Sequence, residues 1–208
     1  MRTLSKELQS NLTPEMAFQI LKDGNERFVN NLKAERNLLQ QVNETKEGQF
    51  PFATILSCMD SRTSAELIFD QGLGDIFSIR IAGNILNDDI LGSMEFATKV
   101  VGTKIILVLG HTKCGAIVGA CNNVELGKLT QVLEKVKPAI EAEKTTTDNR
   151  TGSNRSFVDN VTENNVHINI DRIKKESPII AELVQQGSVK IVGGIYDVET
   201  GKVTFHEN

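Results

Sequence analysis

Three short runs, PFATILSC (residues 51–58), DIFSIRIA (75–82) and KIILVLGH (104–111), are almost continuously apolar. A strand with one face in water alternates apolar and polar residues, so runs of this kind belong to strands covered on both faces. Helical patterns separate them: one near 64–70, one over 88–102, and one opening near Cys114. Apolar strands alternating with helices predict an α/β fold, a mostly parallel β-sheet flanked by helices. Near the end, SVKIVGGIYDV and KVTFHE, separated by ETG, read as a C-terminal strand hairpin.

The remainder of the chain is arranged around that frame. Residues 13–31 read as a helix, with Thr13 as N-cap, Pro14 in the first turn, and Ala17, Ile20, Leu21, Gly24 and Phe28 at helical spacing. NLLQQVNETKEGQF (37–50) reads as a polar, extended connection. Residues 144–155 read as a loop, and helix returns over 156–186, broken by Pro178. The expected organisation is a single domain over 1–208 with an N-terminal helical arm over about 1–48. Within that arm, 13–31 is a candidate for packing on a partner subunit.

Net charge of −4 with no block of like charge argues against a nucleic-acid partner. The start, MRTLSKELQS, has no apolar signal region, and no run is long enough to span a bilayer, so the expected location is the cytoplasm, with no membrane partner. Three widely spaced cysteines do not make a disulfide framework; in a reducing compartment they are ligands, reactive thiols or small core residues.

Ligands of parallel sheets bind beyond the carboxyl ends of the strands. Cys58 ends the first run and His111 the third, 53 residues later, so both belong at that edge. In GHTKCGA (110–116), Cys114 follows His111 across a tight turn and opens a helix. Two thiolates and one imidazole suit zinc; three protein ligands plus water is the catalytic arrangement, whereas structural sites close with four. Cys121 lies seven residues beyond Cys114, roughly 10 Å along the helix, too far to share the ion, and reads as a buried thiol. His167 and His206 read as surface or hairpin residues. In CMDSR, Asp60 and Arg62 occupy alternate positions of an extended stretch with Cys58, and so share its face. An Arg fork can hold a carboxylate in a bidentate grip, and Asp60 is also the nearest possible fourth ligand. Gly115, without a side chain, leaves room for whatever occupies the open position.

Together, CMDSR (C-x-D-x-R), RIAGN (80–84) and GHTKCGA (H-x-x-C-G) resemble the β-class carbonic anhydrases, in particular their plant-type subset, over roughly residues 14–205. The resemblance implies one Zn2+ per chain held by Cys58, His111 and Cys114, with Asp60 and Arg62 as the catalytic dyad. It implies reversible hydration of carbon dioxide to bicarbonate and a proton by attack of zinc-bound hydroxide. It also implies a homodimer or a multiple of dimers, such as a homotetramer. Gln49 matches a glutamine that reaches the carbon dioxide site across the dimer interface, while Phe77 and Phe96 match aromatic wall positions of the substrate pocket. Two departures stand out. Ala116 replaces a common second glycine, and Ile55 occupies the position where a bicarbonate-inhibited subset carries tryptophan. Two other readings use the same residues: a carbon disulfide or carbonyl sulfide hydrolase, and a non-catalytic zinc-stabilised interaction protein. A thiol redox protein is disfavoured because no C-x-x-C is present.

Overall fold

In the computed structural model, which describes residues 3–206, the three apolar runs become the centre and one edge of a five-stranded sheet. The strands are β1 (Ala53–Ser57), β2 (Ile76–Arg80), β3 (Ile105–His111), β4 (Lys190–Tyr196) and β5 (Val203–His206). Their order is β2-β1-β3-β4-β5; the first four are parallel and β5 returns antiparallel to β4. Every residue of β1 and β3 is buried. Their side chains alternate between two apolar layers: Ile55, Leu107 and Leu109 face one, Leu56, Ile106 and Val108 the other. Each such residue contributes about 1.5–3 kcal/mol by leaving water, which is why these strands carry no polar face.

Ten helices cover the two faces among the described residues: α1 (Lys6–Asn11), α2 (Pro14–Val29), α3 (Leu38–Thr45), α4 (Ala65–Ile68), α5 (Asp88–Glu95), α6 (Gly115–Cys121), α7 (Gly127–Glu134), α8 (Lys137–Ala142), α9 (Arg155–Glu176) and α10 (Pro178–Gln185). As expected, Thr13 caps α2, its side chain accepting from the Met16 amide at 3.2 Å. Helix α2 lays Ala17, Phe18 and Leu21 on the first layer of its own sheet, while Met16 and Val29 stay exposed. Gly24 permits the close crossing of α4: a Cβ there would lie 1.9 Å from the Phe69 carbonyl oxygen. On the other face α9 contributes Val166, Ile170 and Ile173 to the second layer, and Ser177 caps α10 ahead of Pro178. The helix expected over 88–102 is α5 continued by a π-helical segment, Phe96–Val101.

The structure corrects one expectation about the secondary structure of the N-terminal arm. Residues 37–50 are not an extended connection: α3 occupies most of the segment. The Asn37 side chain accepts from the Gln40 amide at 3.0 Å, and buried Gln41 accepts from the Leu73 amide at 3.2 Å. Its apolar residues Leu38, Leu39 and Val42 face outward, so α3 has no inward apolar stripe of the kind that announces a helix. Helices α1, α7 and α8, of six to eight residues, have no counterpart in the sequence reading. The last strand ends at His206; Glu207, included in the expected hairpin, lies outside the described residues.

Candidate metal centre

Register alone brings the donors to one edge. Ser57 of β1 pairs with Leu109 of β3, so Cys58, just past β1, and His111, the last residue of β3, leave the sheet side by side. The chain then turns through Lys113, whose φ of 56° is left-handed, and Cys114 becomes the N-cap of α6. Thr112 anchors this turn to the β4–β5 connection. Its amide donates to the Tyr196 carbonyl at 3.0 Å and its hydroxyl to Asp197 Oδ1 at 3.2 Å. A third apolar cluster, including Ile117, Val136, Phe157 and Val161, packs beneath Cys58 and Cys114.

Cys58, His111 and Cys114 converge, with one donor atom of each within 4.8 Å of the others, and all three are buried. The donors fit zinc. The two Sγ atoms are 3.9 Å apart; ligands on tetrahedral zinc at ~2.3 Å stand ~3.8 Å from one another. His111 Nδ1 lies 2.9 Å from the Thr112 carbonyl oxygen, which only accepts, so Nδ1 carries the proton. Its Nε2 is then a bare lone pair, and it is buried without a hydrogen-bond partner. An orphaned acceptor beside two sulfurs is the arrangement a soft cation satisfies.

One of the two sulfurs, Cys58, is biased toward the thiolate a metal requires. A hydrogen bond from Cys114 lowers the Cys58 thiol against the opposing effect of burial, with help from the Gly83 amide. Cys114, facing that thiolate and fully buried, is pushed up and holds the proton the pair retains. Cys121, at the far end of α6, is raised to about 11 by burial and remains a thiol.

Asp60 and Arg62 meet beside this group, though not by strand alternation. Residues 58–60 leave the strand and 61–62 form a turn. The Arg62 amide folds back on Asp60 Oδ1 at 3.0 Å, and the guanidinium grips both carboxylate oxygens, Nε to Oδ1 at 2.9 Å and Nη2 to Oδ2 at 2.7 Å. Arg62 hydrogen bonds hold the Asp60 carboxyl well below the usual carboxylate range. That grip takes up the carboxylate, leaving three protein donors at the centre. Gly115 is exposed, and a Cβ there would meet nothing within 4 Å. The Ala116 methyl faces Gly83: a Cβ on Gly83 would approach it to 3.3 Å, so the two small residues let α6 and residues 82–84 close together.

Several positioning residues were invisible in the sequence. Arg80 donates to the Cys58 carbonyl at 3.1 Å and the Asp60 carbonyl at 2.6 Å, and the Thr63 hydroxyl reaches the same two carbonyls at 2.8 and 2.9 Å. The Gly83 amide, at a φ of 68°, points at Cys58 Sγ from 3.4 Å. RIAGN contains two of these residues, but only the fold assigns them partners.

Gln49, Phe77 and Phe96 lie elsewhere on the chain. Gln49 is exposed before the start of β1, whereas Cys58 follows its end, about 17 Å away along the strand. It lines an open cleft with Val42, Thr45 and Leu73. Phe77, half-buried in edge strand β2, pairs with Thr54 near the start of β1. Phe96 is 55% exposed, on the π-helical segment that packs against α10.

Comparison with known proteins supplies an independent finding. The family model for carbonic anhydrase matches residues 53–203. Carbonic anhydrase 2 of Mycobacterium tuberculosis is 36% identical over 206 residues, spanning 95% of either chain. The β-carbonic anhydrase CafA of Aspergillus fumigatus superposes with a TM-score of 0.70 at 25% identity, covering 81% of each chain. A tetrameric β-carbonic anhydrase of Sordaria macrospora has the same fold, with a TM-score of 0.68 at 23% identity over 78% of this chain and 84% of that one.

Proposed function

This chain belongs to the β-carbonic anhydrase family, and on that ground we propose that it interconverts carbon dioxide and water with bicarbonate and a proton, using one zinc ion held by Cys58, His111 and Cys114. The observation that carries the reading is a three-donor centre beside a carboxylate already gripped by Arg62. A bound zinc ion lowers the pKa of water from about 16 toward 7 and so makes the nucleophile available at neutral pH. The chain's own residues orient the reactants. Asp60, held ionised by Arg62, accepts a hydrogen bond from the attacking water species and fixes the direction of its lone pair. A carboxylate with so low a pKa is a poor proton store, so its contribution is orientation rather than proton carriage. The Arg62 fork holds Asp60 through both carboxylate oxygens, and the open space at Gly115 admits a small linear substrate.

The substrate pocket is completed by a second copy. Gln49 lies at the wrong end of β1 for its own chain's centre; exposed Val42 and Leu73 line its cleft, and helix α3 beside it also exposes Leu38 and Leu39. In the proposed dimer, or multiple of dimers, these apolar residues are covered and Gln49 donates to a substrate oxygen across the interface, with Phe77 and Phe96 forming pocket wall. The tetrameric Sordaria macrospora relative makes such an assembly a natural expectation. Mixing inactive Cys58→Ser chains with inactive Gln49→Ala chains is expected to restore activity in the hybrid dimers. Verified hybrids without activity would place Gln49 outside its neighbour's pocket. The proposed location is the cytoplasm, where three free cysteines remain reduced, and the whole chain acts as one domain. Among the described residues no helix is long and apolar enough to cross a membrane.

The proposed activity is tested by metal content and initial rates on two substrates. One zinc per chain with carbon dioxide hydration is expected. Turnover of carbonyl sulfide alone would favour the hydrolase reading, and zinc without turnover of either substrate would favour an interaction module.

A further inference from the structure

The chain has three histidines, and the two outside the Cys–His–Cys group meet each other in space. We propose that His167, His206 and Glu163 form a second metal site, built for a borderline transition ion such as Zn2+. Among the described residues only two groups of three potential ligands converge within 4.8 Å, and this is the second. Glu163 and His167 stand four apart on α9, one turn of the same face, while His206 comes from β5 at the sheet edge. The chain brings them together through its glycines. A Cβ on Gly110 or Gly193 would lie 2.9 Å from a Val166 methyl, so these two positions let α9 settle directly on β3 and β4. Gly193 is paired with His206 across the β4–β5 ladder, which sets the imidazole against the helix.

The spacing is that of ligands rather than of a hydrogen-bonded pair. His206 Nδ1 and Glu163 Oε1 are 3.6 Å apart, beyond hydrogen-bond length. Nitrogen and oxygen ligands at ~2.0–2.2 Å on a tetrahedral ion stand ~3.3–3.5 Å apart, so a shift of a few tenths of an ångström closes the pair on a metal. The two imidazole rings lie edge to face, with centroids 5.3 Å apart and planes at 73°, rather than stacked. Two imidazoles and one carboxylate form a ligand set suited to Zn2+, Co2+, Ni2+ and Cu2+ rather than to Mg2+ or Ca2+. Glu163 is exposed and both rings are half-buried, so an ion enters from solvent and completes its shell with water.

This site is separate from the Cys–His–Cys centre. His111 pairs with Tyr196 of β4 and His206 with Gly193 of the same strand. Three residues along β4 and two strand spacings across put the backbones roughly 14 Å apart. An ion here would join α9 to the edge strand, where His206 and Glu163 now stand 3.6 Å apart.

The test compares zinc stoichiometry in the intact chain with that of His167→Gln and His206→Gln, after equilibrium dialysis against micromolar Zn2+ and measurement by mass spectrometry. Each variant is expected to hold one zinc fewer per chain, with unchanged circular dichroism. Glu163→Gln, at an exposed position that tolerates substitution, is expected to weaken that zinc by ~10-fold or more. Cobalt identifies the ion lost: the second site gives ligand-field bands without the sulfur-to-cobalt charge transfer that a two-cysteine centre produces. Equal stoichiometry in the parent and both histidine variants would overturn the proposal. So would loss of the sulfur-to-cobalt band in a histidine variant, since the missing ion would then belong to the other centre.

Discussion

Serine in place of Cys58 or Cys114 is expected to remove the zinc ion and to lower carbon dioxide hydration by more than about 100-fold, since even residues that only orient metal ligands cost 10–100-fold when lost. Serine in place of Cys121 is expected to leave both intact. The contrast follows from acidity and geometry. The Cys114 thiol donates to Cys58 and lowers it, which favours the thiolate a metal ligand must be. A serine hydroxyl does not ionise there, and the replacement leaves His111 Nε2 with one sulfur instead of two. Cys121, raised to about 11 by burial, lies at the opposite end of α6, roughly 10 Å along the helix axis from Cys114. Its replacement buries a hydroxyl at a cost of about 1–3 kcal/mol in stability, a loss that appears in Tm and not in metal content. Metal analysis and melting curves of the three variants decide the matter. A folded Cys121→Ser protein without stoichiometric zinc would refute the ligand assignment.

How much of this was legible beforehand depended on how local each feature is. The sheet announced itself because β1 and β3 are buried on both faces and so lack any polar alternation. The donors were readable because Cys58 and His111 sit at strand ends, where a parallel sheet collects its ligands, and Cys114 opens the helix that follows. Helix α3 was not readable: its apolar residues point away from the sheet, and a cap at Asn37 with a buried Gln41 does the stabilising work. Helices α7 and α8 are too short to show a period. Around the site, Asp60 and Arg62 were paired correctly for the wrong local reason, since the contact comes from a turn in which the Arg62 amide bonds the Asp60 side chain. Arg80 and Thr63 escaped notice because their partners are backbone carbonyls, which no side-chain pattern encodes. The pairing of His167 with His206 escaped for a similar reason: it depends on how closely α9 approaches the sheet, a distance set by glycines on other elements.

The Asp60–Arg62 pair is expected to act as one unit. Asp60→Asn and Arg62→Ala are each expected to lower kcat/KM at least ~10-fold with zinc retained, and the double variant should be little worse than either, because groups that act together do not contribute additively. The asparagine is nearly isosteric and keeps one acceptor, but it loses the charge that draws the guanidinium onto both oxygens. Alanine at Arg62 leaves the carboxylate in place and releases it from the fork, so its lone pair is no longer aimed. The pH profile separates this role from general base catalysis. Arg62 keeps Asp60 ionised far below neutrality, so Asp60→Asn should lower the profile without moving its inflection above about pH 5, where the aspartate is fully charged. The sign for stability runs the same way. A depressed carboxyl pKa stabilises the fold above the unfolded value near about 3.9, and that contribution fades as pH falls through the folded value. At neutral pH Asp60→Asn therefore forfeits all of it, and a small drop in Tm should accompany the loss of turnover. Additive losses in the double variant, or an inflection displaced by a full unit in Asp60→Asn, would show that the two residues do not work as an orienting pair.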